Sequence, residues 1–175
     1  ETLTNPAQGR IWVYQPWLDA VGMKAEDIVT TDDFYNMLEA FKTQDPNGNG
    51  KADEIPAIGT GLENSAGSNG GAFVDAMMSA YLPCTSSLSY LFANEGTLSV
   101  SYNQAAWKDG IKYLRALCEK GLYDPVSFTT STDSFKTIMN SEGDQLVGCF
   151  ASLSPSFIQT SHSSYGKWVL LEPLT

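Results

Sequence analysis

One ten-residue stretch, Asp45-Pro46-Asn47-Gly48-Asn49-Gly50-Lys51-Ala52-Asp53-Glu54, constrains this chain more than any other. Oxygen-bearing side chains alternate at Asp45, Asn47 and Asn49, and return at Asp53 and Glu54. Gly48 and Gly50 fall between them, where a chain wrapping tightly around an ion needs free dihedrals. A hard cation such as calcium takes about six to eight oxygens at roughly 2.3–2.6 Å. The spacing supplies a carboxylate, two amides, the backbone carbonyl of Lys51 and two further carboxylates. Asp45, Asn47, Asn49, Lys51, Asp53 and Glu54 are therefore the candidate ligands of a calcium loop. The competing reading is a solvated Asn/Gly turn that binds nothing.

The loop departs from the standard EF-hand, which closes with a bidentate Glu at position 12. Counted from Asp45, that position is Pro56, so the closing carboxylate comes early, from Glu54. The exit, Ile55-Pro56-Ala57-Ile58, reads as a short strand. Helix, loop and strand make a rigid clip, unlike a calcium sensor whose two helices open.

Composition narrows the class. An apolar fraction of 42% supports a packed core, and 20 acidic against 10 basic residues give a formal charge of -10. That balance disfavours nucleic acid and anionic membranes as partners. No apolar run approaches the length of a membrane span. The chain starts without Met and stops inside an apolar run, so it reads as a fragment, truncated at both ends, whose export signals, if any, lie outside it. Cys84, Cys118 and Cys149 are odd in number and far apart, which suits buried free thiols rather than disulfides or a metal site.

The periodicities alternate between strand and helix. Arg10–Tyr14 is β-prone, and a short helix follows over 15–21, stopped by Gly22. Thr30 or Thr31 caps a helix whose Phe34, Met37, Leu38 and Phe41 share one face and which leads into the loop. Residues 59–71 read as a Gly/Ser/Asn-rich surface loop, and 72–82 as a helix ending before Pro83. Residues 90–93 and 97–100 flank a hairpin turn. A helix over 104–120 carries Trp107, Ile111, Leu114 and Cys118 on its expected buried stripe and is capped by Gly121. Ser131 or Thr132 opens a short helix with Phe135, Ile138 and Met139. Residues 145–150 and 168–171 read as strands, and Ser154-Pro155 as a helix start. Short interspersed strands among helices indicate an α/β fold.

Several segments, in order, resemble one family. Arg10–Gly22, the loop Asp45–Pro56, Lys108–Leu114 with Glu119–Pro125, Gln145–Phe150 and Leu171–Leu174 are similar to extracellular solute-binding proteins. The relevant branch is family 1, the sugar-binding lipoproteins of ABC transporters and the alginate-oligosaccharide-binding proteins. The resemblance implies that residues 1–175 are one domain, most of one helix-rich lobe of a type II periplasmic-binding-protein-like fold with short strands. It implies a structural calcium away from the sugar cleft, an oligosaccharide ligand and a membrane permease partner. It also implies a monomeric, extracellular, lipid-anchored, non-enzymatic protein.

Sugar sites combine aromatic faces with amide and hydroxyl groups. Candidates near strand ends are Tyr14, Trp17, Asn64, Asn69, Phe150, Ser152 and Ser154. Tyr14 and Trp17 also fit core or hinge packing, while Trp107 and Trp168 fit the core. His162 lies in a Ser/Thr run that reads as an exposed loop. No nucleophile elbow or phosphate loop occurs. Two other classes stay open. A calcium-dependent adhesion or scaffold module would need a second calcium loop or a repeat, and neither is in the sequence. A secreted glycosidase would need a carboxylate pair, and no context singles one out.

Overall fold

The structure, a computed structural model, describes residues 10–61, 72–83, 89–94 and 96–175. Strand β1 (Arg10–Tyr14) buries Ile11 and Val13 and runs directly into helix α1 (Gln15–Ala20). Pro16 suits the first turn of α1 because its missing N–H has no intrahelical partner there. Gly22, at φ 71, ends that segment. Thr30 caps α2 (Thr31–Thr43): its hydroxyl accepts from the Asp33 amide at 3.1 Å, and the Asp33 carboxylate accepts from the Thr30 amide at 2.9 Å. The expected face of α2 is fully buried at Phe34, Met37, Leu38 and Phe41.

Beyond the loop come β2 (Ile55–Ile58), α3 (Ala72–Ser79), the hairpin β3 (Leu91–Asn94) and β4 (Thr97–Val100), and α4 (Ala105–Glu119). Helix α5 (Thr132–Met139), capped by the Ser131 hydroxyl, precedes β5 (Val147–Ser152) and β6 (Trp168–Leu170). The main sheet has the order β2-β5-β1-β6, with β2 parallel to β5 and β1 antiparallel to both β5 and β6. Every residue of β5 is buried, as expected of a central strand covered on both faces.

This register gives the sheet two ends with different occupants. Ile55 pairs with Val147 and Tyr14 with Trp168 at the end where the calcium-type loop enters. Ile58 pairs with Phe150 and Arg10 with Ser152 at the opposite end.

Three expectations are corrected. Helix α4 buries Gly110, Leu114 and Leu117, whereas Ile111 is exposed and Trp107 and Cys118 are half-buried. The reason is Gly110: a Cβ there would lie 2.7 Å from Met78 Sδ, so α3 approaches α4 along the glycine. Ser154-Pro155 starts no helix. Asn140 donates to the Phe157 carbonyl (3.1 Å) and accepts from the Gln159 amide (2.7 Å), which holds this segment in turns. His162 is half-buried rather than exposed, because Ser164 Oγ and the Ser141 carbonyl lie 2.8 and 3.0 Å from its two ring nitrogens. Cys149 is buried in β5 and free, and Cys118 is also free; Cys84 lies outside the described residues. No described helix is long and apolar enough to cross a membrane.

Candidate functional site

The loop after α2 is held by its own side-chain oxygens, which accept from backbone amides within it. Asp45 takes a positive φ of 46, unusual for a residue with a side chain, and Gly48 and Gly50 take φ of 72 and 73. The two oxygens of Asp45 accept from the Asn49 and Gly50 amides at 3.1 and 2.9 Å. Asn47 Oδ1 accepts from the Asn49 amide at 3.0 Å, and Asn49 Oδ1 from the Lys51 amide at 2.8 Å. Asp53 Oδ1 faces the amide nitrogens of Asn47 and Asn49, at 3.4 and 3.2 Å. The Lys51 side chain is exposed and ends in an ammonium, so only the backbone carbonyl of this residue could face a cation.

Glu54 is the outlier. Its Oε1 is buried with no hydrogen-bond partner. Burial raises its pKa first, and the neighbouring charges of Asp45 and Asp53 push it further the same way. The charges of Asp45 and Asp53 are thus both felt at Glu54. No group of three or more His, Cys, Asp or Glu side chains among the described residues forms a metal cage on its own. A cation in this loop would therefore also need amide and backbone oxygens, the donor types that a hard cation takes. A buried carboxylate oxygen without a partner, beside two others, fits a divalent cation.

The sugar candidates are not brought together. Tyr14 and Trp17 lie at the loop end of the sheet and are 6% and 1% exposed. Their rings form an edge contact 6.5 Å apart, and Tyr14 also packs on Trp168 at 5.2 Å. They border a cleft of about 170 Å³ shared with Pro16, Pro46, Asn47, Asp144 and Gln145. Phe150, Ser152 and Ser154 lie toward the opposite end. Phe150 is fully buried against Phe135, Phe157 and Trp168. Ser152 is buried as well, and its hydroxyl donates to the Ser154 carbonyl at 2.8 Å. Ser154 alone of the three is exposed. Asn64 and Asn69 lie outside the described residues.

Residues that sequence reasoning passed over do reach solvent at that end. Phe128 is 38% exposed and Leu153 is 55% exposed. Neither stands in a motif, and only the register of the sheet reveals where they sit.

The architecture has close counterparts. The fructooligosaccharide ABC transporter substrate-binding protein FusA of Streptococcus pneumoniae serotype 4 is 30% identical over 154 residues, 88% of this chain and 27% of the relative. FusA solved in complex with kestose matches 97% of this chain and 32% of its own, at 27% identity and TM-score 0.74. An extracellular solute-binding protein from Bifidobacterium longum subsp. infantis matches 97% of this chain and 34% of its own, at 25% identity and TM-score 0.78. No protein-family profile matches the chain. The chain is homologous to one part of the ABC-transporter sugar-binding proteins. The family resemblance and the mixed α/β, periplasmic-binding-protein-like fold expected from the sequence are therefore borne out. The relatives are transport proteins rather than enzymes. This chain spans about a quarter to a third of their length.

Proposed function

We propose that this chain forms one lobe of an extracellular oligosaccharide receptor that delivers its sugar to an ABC-transporter permease. The observation that carries this reading is the 30% identity to FusA over 88% of the chain, with the same fold. In the full-length protein the ligand sits between two lobes, which close over it because the closed state binds it better. The receptor is a non-enzymatic, lipid-anchored monomer at the cell surface. Titration calorimetry of the full-length protein against kestose, fructo-nystose, raffinose and maltotriose tests the assignment. Binding of at least one is expected, and heat from none of them would overturn it.

The loop Asp45–Glu54 holds a structural calcium in this reading. Asp45, Asn47, Asn49, Asp53 and Glu54 would supply side-chain oxygens, and Lys51 its carbonyl. The ion would neutralise the carboxylates that crowd Glu54 and tie α2 to β2. Support comes from the partnerless Glu54 oxygen and from the donor types. Another structure of FusA, with fructo-nystose, is described as an EF-hand mutant. Ligand binding to the native state stabilises by about 2.7 kcal/mol at a hundredfold excess over Kd. Melting with calcium and then with a chelator should show a lowered midpoint after chelation, and Asp45→Ala should remove the difference. An unchanged midpoint in the wild type would mean the loop holds no calcium of structural consequence.

A further inference from the structure

The end of the sheet away from the calcium-type loop collects the C-terminal ends of parallel segments. Tyr123 forms a parallel bridge with Ala57, and the Asp124 amide donates to the Ala57 carbonyl at 3.0 Å. A short run at Tyr123–Asp124 therefore extends the sheet beside β2, in the same direction as β2 and β5. In open α/β sheets ligands bind beyond such C-terminal ends.

This run leads into a single 3-10 turn, Pro125–Phe128, fastened to the segment leaving β2. Asp124 caps the turn by accepting from the Val126 amide at 3.0 Å. The buried Ser127 hydroxyl accepts from the Gly59 amide at 2.9 Å, and the Thr130 carbonyl accepts from the Gly61 amide at 2.8 Å. A Cβ on Gly59 would lie 2.5 Å from the Tyr123 hydroxyl oxygen, so only glycine lets these segments close together.

Phe128 stands on this fastened turn. Its ring meets Tyr123 at 5.6 Å and 90°, and Tyr123, only 1% exposed, is stacked on Phe73 at 4.3 Å and 7°. The base of Phe128 is thus a fixed aromatic pile, while more than a third of the residue remains in solvent. Phe150, the aromatic that sequence singled out at this end, is wholly enclosed and offers no face. A rigid, exposed aromatic ring costs little entropy when it orders a ligand, and its apolar face matches the C–H face of a sugar ring. Exposed hydroxyls stand nearby in sequence at Thr129 and Ser131, and Ser154 lies at the same end of the sheet.

We propose that Phe128 is a stacking platform for a sugar ring at the lip of the binding cleft. The proposal rests on the oligosaccharide-receptor reading above and assigns that site one of its specificity-determining residues. Phe128→Ala in the full-length protein should weaken the sugar bound best by the wild type, in the panel above, by about tenfold or more, the scale of a lost hot-spot aromatic. Phe128→Trp should hold affinity within about threefold, because an aromatic face remains. The melting midpoint of Phe128→Ala without sugar should fall only slightly, since the edge contact with Tyr123 is lost but more than a third of the residue stands in solvent. Unchanged affinity in Phe128→Ala overturns the proposal while leaving the receptor reading intact. A strongly lowered sugar-free midpoint with unchanged affinity overturns it too, by making Phe128 a packing residue. A wild type that binds no sugar in the panel removes the receptor reading, and this proposal with it.

Discussion

Gly148 leaves no room for a methyl group. A Cβ there would come within 2.5 Å of Trp17 Cε3 and 2.6 Å of Phe41 Cδ2, both rings being fully buried. The glycine in the central strand is thus the seat on which α1 and α2 press their aromatic side chains. Overpacking of this kind typically costs about 1–3 kcal/mol. Gly148→Ala should lower the urea midpoint accordingly, and a midpoint equal to the wild type would show that the rings can move aside. Glu54 offers a test with a change of sign. Burial of its Oε1, and then the charges of Asp45 and Asp53, disfavour its ionised form, so neutralising it relieves a cost when no cation is present. Glu54→Gln should melt above the wild type in chelator and below it in saturating calcium. The same order in both conditions would remove Glu54 from the ligand set. The alternation of oxygen-bearing residues in the loop was legible because it is strictly local, whereas the crowding at Gly148 depends on residues far away in the chain.

At the scale of the element, α2 shows how local signals become structure. The Thr30–Asp33 capping box fixes its start, and its apolar stripe fixes the side facing the sheet. Thr30→Ala should cost about 0.5–2 kcal/mol, read by thermal melting. The Asp33 carboxyl is held below its ordinary range, first by the Thr30 hydroxyl and then by the Thr30 amide. A depressed carboxylate stabilises the fold fully above its ordinary value and loses that contribution as pH falls through its folded value. The difference in midpoint between wild type and Asp33→Asn should therefore be present at neutral pH and vanish on acidification below about pH 4. A difference independent of pH would deny the carboxylate that role. Helix α4 shows the limit of the same reasoning. Its apolar residues suggest a stripe through Ile111, yet Gly110 draws α3 to another face. Hydrophobic periodicity carries no weight for a residue without a side chain.

For the whole molecule, the register places the two candidate sites at opposite ends of one sheet. The calcium-type loop, Tyr14 and Trp17 gather at one end, while Phe128, Leu153 and Ser154 stand at the other. In the proposed reading, an ion bound at the first end would stiffen the lobe without touching a sugar at the second. A protein limited to residues 1–175 should keep its calcium-dependent melting shift while binding sugar at least about tenfold more weakly than the full-length protein, a difference of about 1.4 kcal/mol. Equal sugar affinity in both forms would place the whole site in this lobe and argue against closure between two.

The sequence alone determined most of the elements, the cap of α2, the spacing of oxygen-bearing residues in the loop and the family resemblance, because each depends on neighbours within a few residues or on order along the chain. Tertiary structure decided which candidates share a surface. Trp17 and Phe150 carry aromatic rings that suit a sugar as well as Phe128 does, and nothing local tells the three apart. Burial does, and burial is set by strand register and by close approach at Gly59, Gly110 and Gly148. Those contacts join residues tens of positions apart, so they exist only once the chain has folded.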